Sequence, residues 1–145
     1  MSYFLDHISA VVAHIQTEWT AVGAPLPIVL PNDDASDLDL SGGFVFIRPN
    51  LTDTNFASIN GTNPKVRSFG VLEINIHTLM NTGIGEGLTY AAQFGGFIRG
   101  RMISGVEMYA PTVASGETIS YNDQGKYWLT PVTCGFRFDE NLTIG

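Results

Sequence analysis

Phe4, Ile8, Val11, Val12, Ile15 and Trp19 recur at the three- and four-residue spacing of one helix face, which predicts an amphipathic helix near the start of the chain. Ser2 is suited to cap it, and Asp6 sits where the helix dipole favours an anion. Gly23, Pro25 and Pro27 end it. Residues 26–30 read as a short edge strand, because Pro27 and Pro31 bar them from a sheet centre. A polar gap, 31–43, precedes an apolar strand at 44–48 that Pro49 is expected to stop.

Asn60-Gly61 marks a hairpin turn. The strand after it, 66–78, alternates strictly. Leu72, Ile74 and Ile76 face one side, while Glu73, Asn75 and His77 face the other, toward water or a partner. A glycine-rich turn then leads into a second helix with Leu88, Ala91, Ala92, Gly95, Ile98 and Met102 as its inward stripe. Gly95, Gly96 and Gly100 each weaken such a helix by roughly 1 kcal/mol against Ala, so its backbone is expected to lie close to a sheet or neighbour. Residues 105–113, 117–121 and 126–138 read as strands separated by turns at Ser115-Gly116 and 122–125. In the last of them Trp128, Thr130, Val132, Cys134, Phe136 and Phe138 share a face, and Pro131 implies a bulge or edge position. This order predicts an α+β fold, a mostly antiparallel sheet with two helices packed on one face, in a single domain over 1–145.

Composition narrows the function. Of 145 residues, 44% are hydrophobic and only 14% charged, against a usual charged share of about a quarter, which excludes an acidic disordered chain and a coiled coil. The net charge is −7 with no basic run, so the chain lacks the means to grip nucleic acid or an anionic membrane. The first residues have neither the basic start nor the apolar run of a signal peptide, and no stretch approaches a membrane span, so a soluble protein made in a cytoplasm is expected. The Asn-x-Thr triplets at Asn50, Asn60 and Asn141 are discounted as glycan acceptors on that ground. Cys134 is the only cysteine, so no disulfide forms within the chain, and it reads as a small buried hydrophobe.

Candidate chemistry is sparse. Gly83-Ile84-Gly85-Glu86-Gly87 lacks the Lys of a phosphate loop and the spacing of a dinucleotide fingerprint, and Glu86 repels phosphate. His7 and His14 lie seven apart, not at the three or four of a helical metal pair, and read as solvated. The stretch from Asn32 to Asp37 lacks the Gly and closing Glu of a calcium loop. No catalytic residue, metal ligand or cofactor site is assigned.

The run Arg67-x-x-Gly70, the alternating strand 71–76, Gly83-x-Gly85, the helix with Ala91-Ala92 and Phe97, and the closing strand from Tyr127-Trp128 to Phe136-Arg137-Phe138-Asp139 resemble the tail-terminator (tail-completion) proteins of long-tailed bacteriophages. The N-terminal helix and the 44–48 strand stand where that family has them. The acidic loop and the Gly-heavy second helix depart from its pattern. The resemblance implies a virion structural protein without catalytic residue or cofactor. Such a protein assembles as a ring, typically hexameric, on the last ring of the tail tube, stops its polymerisation and offers a surface to the head-tail connector or neck protein. DNA would only pass through the lumen, and no membrane is involved. Arg67 is the first candidate contact with a neighbouring subunit or the tube, followed by Arg48 and Arg101. Glu73, Asn75 and His77 supply a partner-facing strand, and Asp33, Asp34, Asp37 and Asp39 would line the lumen or rim the ring. The alternatives are another phage neck, connector or tube protein, and a small ligand-binding domain or enzyme.

Overall fold

The computed structural model describes residues 3–31, 38–58, 64–80, 84–114, 116–121 and 125–141. Helix α1 (Tyr3–Ala21) is followed by strands β1 (Ile28–Val29), β2 (Phe44–Ser58) and β3 (Lys65–Leu79), then helix α2 (Ile84–Ile98). Strands β4 (Met102–Ile103), β5 (Val106–Met108), β6 (Thr112–Val113), β7 (Glu117–Tyr121) and β8 (Gly125–Asn141) complete the order. The fold is α+β as expected. Among the described residues every strand pairing is antiparallel except that of β1 with β2.

The sheet runs β1-β2-β3-β8-β5-β4, with β6 and β7 also pairing β8. Three long strands form its spine. β3 pairs β2 on one side and β8 on the other along its whole length. β8 takes β7, β6 and β5 in succession along its far side. Both helices pack on the same face. Ile8, Val11, Val12, Ile15 and Trp19 of α1 and Ala91, Phe94 and Ile98 of α2 bury against Val45, Ile47, Leu72, Ile74, Ile76, Val132, Cys134, Phe136 and Phe138. The period of two along the strands meets the 3.6 period of the helices in one continuous core.

Trp19 ties the turn after α1 to the sheet. Its Nε1 donates to the Leu26 carbonyl at 2.8 Å, and Val45 N donates to the Pro27 carbonyl at 2.9 Å. Gly23 has φ +98°, the left-handed geometry that ends a helix. The Ser2 cap and the turns at Asn60-Gly61 and 122–124 lie outside the described residues.

Three expectations are corrected. Pro49 does not stop β2, which continues to Ser58. β1 covers only Val45 and Phe46, so Pro49 sits on a free edge where a missing N–H is tolerated. Pro131 is not at an edge, yet it falls where β7 ends at Leu129 and β6 begins at Val132, a gap in the ladder. Residues 105–113 are not one strand: Tyr109 to Pro111 break it, and β4 turns back on β5 through Gly105, at φ +83°.

Helix α2 is rotated from its predicted stripe. Ala91, Phe94, Phe97 and Ile98 are buried, Leu88 and Ala92 are exposed, and Met102 lies beyond the helix in β4, 67% exposed. The aromatic rings decide the orientation, because Phe94 and Phe97 bury more apolar area than Leu88 and Ala92. Close approach holds at Gly87, where a Cβ would collide with Thr130, and at Gly95, where it would press on Pro111 at 3.3 Å. It does not hold at Gly96, which faces open space, and Gly100 lies after the helix at φ +64°.

Candidate functional site: the outer face of the sheet

The helices cover one face of the sheet. The opposite face carries the odd-numbered residues of β3 and β8 and the even-numbered residues at the start of β2. Among the described residues no helix lies over it, and most of its side chains are half-buried by their own neighbours. The alternation expected for β3 is present: Leu72, Ile74 and Ile76 point to the core, and Glu73 and Asn75 point outward, half-exposed.

His77 departs from that expectation. It is on the outer face but only 2% exposed. The ring stacks on Phe44 with centroids 4.0 Å apart and planes 11° from parallel, and it meets the edge of Tyr127. Its Nδ1 lies 3.1 Å from the Asn75 carbonyl. Burial pushes its pKa below the ordinary 6.5, against backbone hydrogen bonds that favour the cation. Phe44, Tyr127, Val29 and Leu40 form a second small core here, with Phe46 and Ile119 packed against it. The Tyr127 hydroxyl donates to the Leu40 carbonyl at 3.1 Å, which fastens the end of the 31–43 loop to the sheet. Residues near this core leave a groove of about 340 Å³ lined by Phe44, Phe46, Asn75, His77, Ile119 and Leu129.

The middle of the face is polar. Arg48 is exposed and sits opposite Glu73 in the β2–β3 register. Glu73 accepts a bond from Asn50 Nδ2 at 2.9 Å, and the Thr112 and Thr133 hydroxyls lie 2.8 Å apart. The far end is ion-paired. Arg67 Nε and Nη2 donate to Asp139 Oδ1 and Oδ2 at 2.8 and 3.0 Å. Arg137 donates to Glu107 Oε2 at 2.7 Å. The leading sequence candidate is thus engaged within its own chain, with about a third of each side chain still open (34% and 29%). The hydrogen bonds from Arg67 hold the Asp139 carboxyl below the usual carboxylate range.

The acidic loop is described only at its end. Asp39 is exposed, and its Oδ1 accepts bonds from the Ser41 hydroxyl and amide at 2.6 and 3.0 Å, which lower its pKa. Asp33, Asp34 and Asp37 lie outside the described residues. Arg101 is exposed in the short connection between α2 and β4.

The two helix histidines are not simply solvated. His7 Nδ1 lies 3.1 Å from the Ser104 carbonyl with its ring against Phe138, and His14 Nε2 lies 3.0 Å from the Phe97 carbonyl. His7 ties α1 to the β4–β5 turn and His14 ties it to α2, links that helical spacing alone does not reveal. Cys134 is buried as expected, and burial pushes its thiol pKa up. Among the described residues no group of three or more His, Cys, Asp and Glu side chains could hold a metal ion, and no helix is long and apolar enough to cross a membrane.

Sequence reasoning missed the apolar half of the outer face. Phe44, Phe46, Tyr127 and Leu129 were legible as strand residues, but their meeting depends on register. Phe44 pairs with His77, and His77 with Leu129.

No protein-family model matches the chain, and no curated protein matches it. Among solved structures, one known only by a serial designation superposes with a TM-score of 0.63 at 15% identity, covering 95% of this chain and 96% of its own. At that identity the likeness shows the fold alone.

Proposed function

We propose that this chain is a structural subunit of a phage tail, which assembles as a ring and caps the tail tube as a terminator. The resemblance of residues 66–138 supplies the family. The observation that supports the reading is the outer face. One of the two broad faces of the sheet has no helix over it among the described residues, yet it is built, with a preformed apolar end, a polar middle and an ion-paired end. A surface of that kind suits burial against a protein partner. A terminator needs one face complementary to the growing tube end and another that recruits no further tube subunit, which is how a filament is stopped without any bond-making chemistry. The partners are copies of itself, the tube protein and the head-tail connector or neck protein. The place of action is the virion tail, with DNA passing through the lumen.

The purified full chain, alone and mixed with its tail tube, tests this by size-exclusion chromatography and negative-stain microscopy. Closed rings seated at tube ends are the expected result. Open-ended polymers would make it a tube protein instead. A monomer that ignores tube ends and carries a bound metabolite would favour the ligand-binding alternative. Replacing Asp33, Asp34, Asp37 and Asp39 together by Asn should alter tail assembly or DNA ejection, and unchanged behaviour removes the loop from the mechanism.

A further inference from the structure

We infer that His77 is an acid-sensitive pin at the apolar end of the outer face: protonating its buried ring releases residues 38–43 and β7 together, while the main core stays closed. The inference goes beyond the assembly reading and holds whatever partner the outer face meets.

His77 belongs to a core of its own. Its ring stacks on Phe44 at 4.0 Å, and Tyr127 stands edge-on to both, with centroids 5.4 Å from Phe44 and 5.9 Å from His77. Val29 and Leu40 complete the cluster, and it shares no residue with the larger core under the helices. Two segments rest on it and have few other buried contacts. Of residues 38–43 only Leu40 and Gly43 are buried. The Tyr127 hydroxyl bonds the Leu40 carbonyl, and Gly43, at φ +108°, lies so close that a Cβ there would strike the His77 carbonyl. β7 pairs only β8, and its Ile119 packs on the cluster while Glu117 and Thr118 are exposed. Short segments held by few buried contacts are the ones that open locally before a domain unfolds.

A cation is disfavoured where the ring sits. His77 is 2% exposed, and burial disfavours its charged form by more than backbone bonds with Asn75 and Phe44 favour it. No neighbouring charge contributes to the shift. Among the described residues, the ionisable groups of the surrounding elements are engaged or solvated. Glu73 of β3 accepts from Asn50, Asp39 of the loop accepts from Ser41, and Tyr127 of β8 is bonded to Leu40. Arg48 of β2 and Glu117 of β7 are exposed. Opening the cluster lets water reach the ring and restores the ordinary affinity for a proton, so acid favours the open form. The groove lined by Phe44, Phe46, Asn75, His77, Ile119 and Leu129 is built from the same side chains and is lost with the cluster. The helix-side core, with no ionisable side chain but Cys134 among its buried members, has no such proton to take up.

Amide hydrogen exchange of the full chain at about pH 7.5 and about pH 5.5, corrected for the intrinsic rate, tests this in wild type and His77→Phe. In wild type, protection at Gly43 and across β7 should fall about three- to tenfold at the lower pH relative to residues 71–76 of β3. In His77→Phe that ratio should not change with pH. If His77→Phe does not fold, an NMR titration of wild type decides: the His77 ring and the Gly43 amide should titrate together, with one midpoint below about 6.5. Protection that is unchanged at the lower pH, or lost equally along the whole chain, overturns the inference. So does a loss at Gly43 and β7 that persists without His77, or a His77 ring that titrates while the Gly43 amide does not respond.

Discussion

Arg67 grips Asp139 through two parallel bonds of 2.8 and 3.0 Å across the β3–β8 ladder, two rows from the Lys65–Asn141 pair that begins it. The carboxyl pKa lies below its unfolded value of about 3.8, so the pair adds stability above that pH and loses it as pH falls through the folded value. Asp139→Asn should lower the melting temperature slightly at neutral pH. Its curve should converge with that of wild type in acid titrations below pH 4. Equal curves at every pH would show that the pair adds nothing, as is common for half-exposed pairs.

His77 gives a slope of the same sign at higher pH. Its folded pKa lies below 6.5, so the unfolded chain takes up a proton first. The stability His77 confers is complete above about pH 6.5 and declines as pH falls through that value toward the folded pKa. His77→Phe should flatten the pH dependence of the melting temperature between pH 7 and 5 while keeping the stack on Phe44. A slope unchanged by the substitution would assign it to another group.

Two glycines of α2 should respond with opposite signs. At Gly87 a Cβ would collide with the hydroxyl of Thr130 and lie 3.2 Å from its Cβ, so rotating the threonine side chain does not clear it. Gly87→Ala should cost about 1–3 kcal/mol in denaturant unfolding. At Gly96 a Cβ meets nothing, and Gly96→Ala should stabilise by about 0.5–1 kcal/mol. Gly70→Ala belongs with Gly87, because its Cβ would strike the Phe136 ring and the Asn50 carbonyl.

Cys134 should stay unmodified by a thiol reagent in the native state and react fully once the chain unfolds. It is 1% exposed, and its Sγ lies 3.3 Å from the Tyr109 carbonyl. Fast native-state labelling would mean that the β5–β8 region opens locally.

Much of the fold was legible because the signals were local. The α1 stripe, the alternation in β3 and the aromatic face of β8 each repeat with the period of one element, and burial in the structure follows those periods. The errors came where a neighbour outweighed local preference. Pro49 stops a strand only if its amide is needed, and only the two-residue length of β1 made that edge free. Phe94 and Phe97 turned α2 because the sheet offered room for rings. His7 and His14 looked solvated because their carbonyl partners lie 97 and 83 residues away.

The order of helices and strands, the two-faced character of β3 and the excess of acidic over basic residues were determined by the chain itself, since propensity, period and composition act over a few residues. Register and layering were decided only in three dimensions. They placed His77 against Phe44, closed Arg67 onto Asp139 and left Phe56 bare near the end of β2. The physical reason is that strand pairing joins residues far apart in sequence, and a shift of one residue would turn every side chain to the other face.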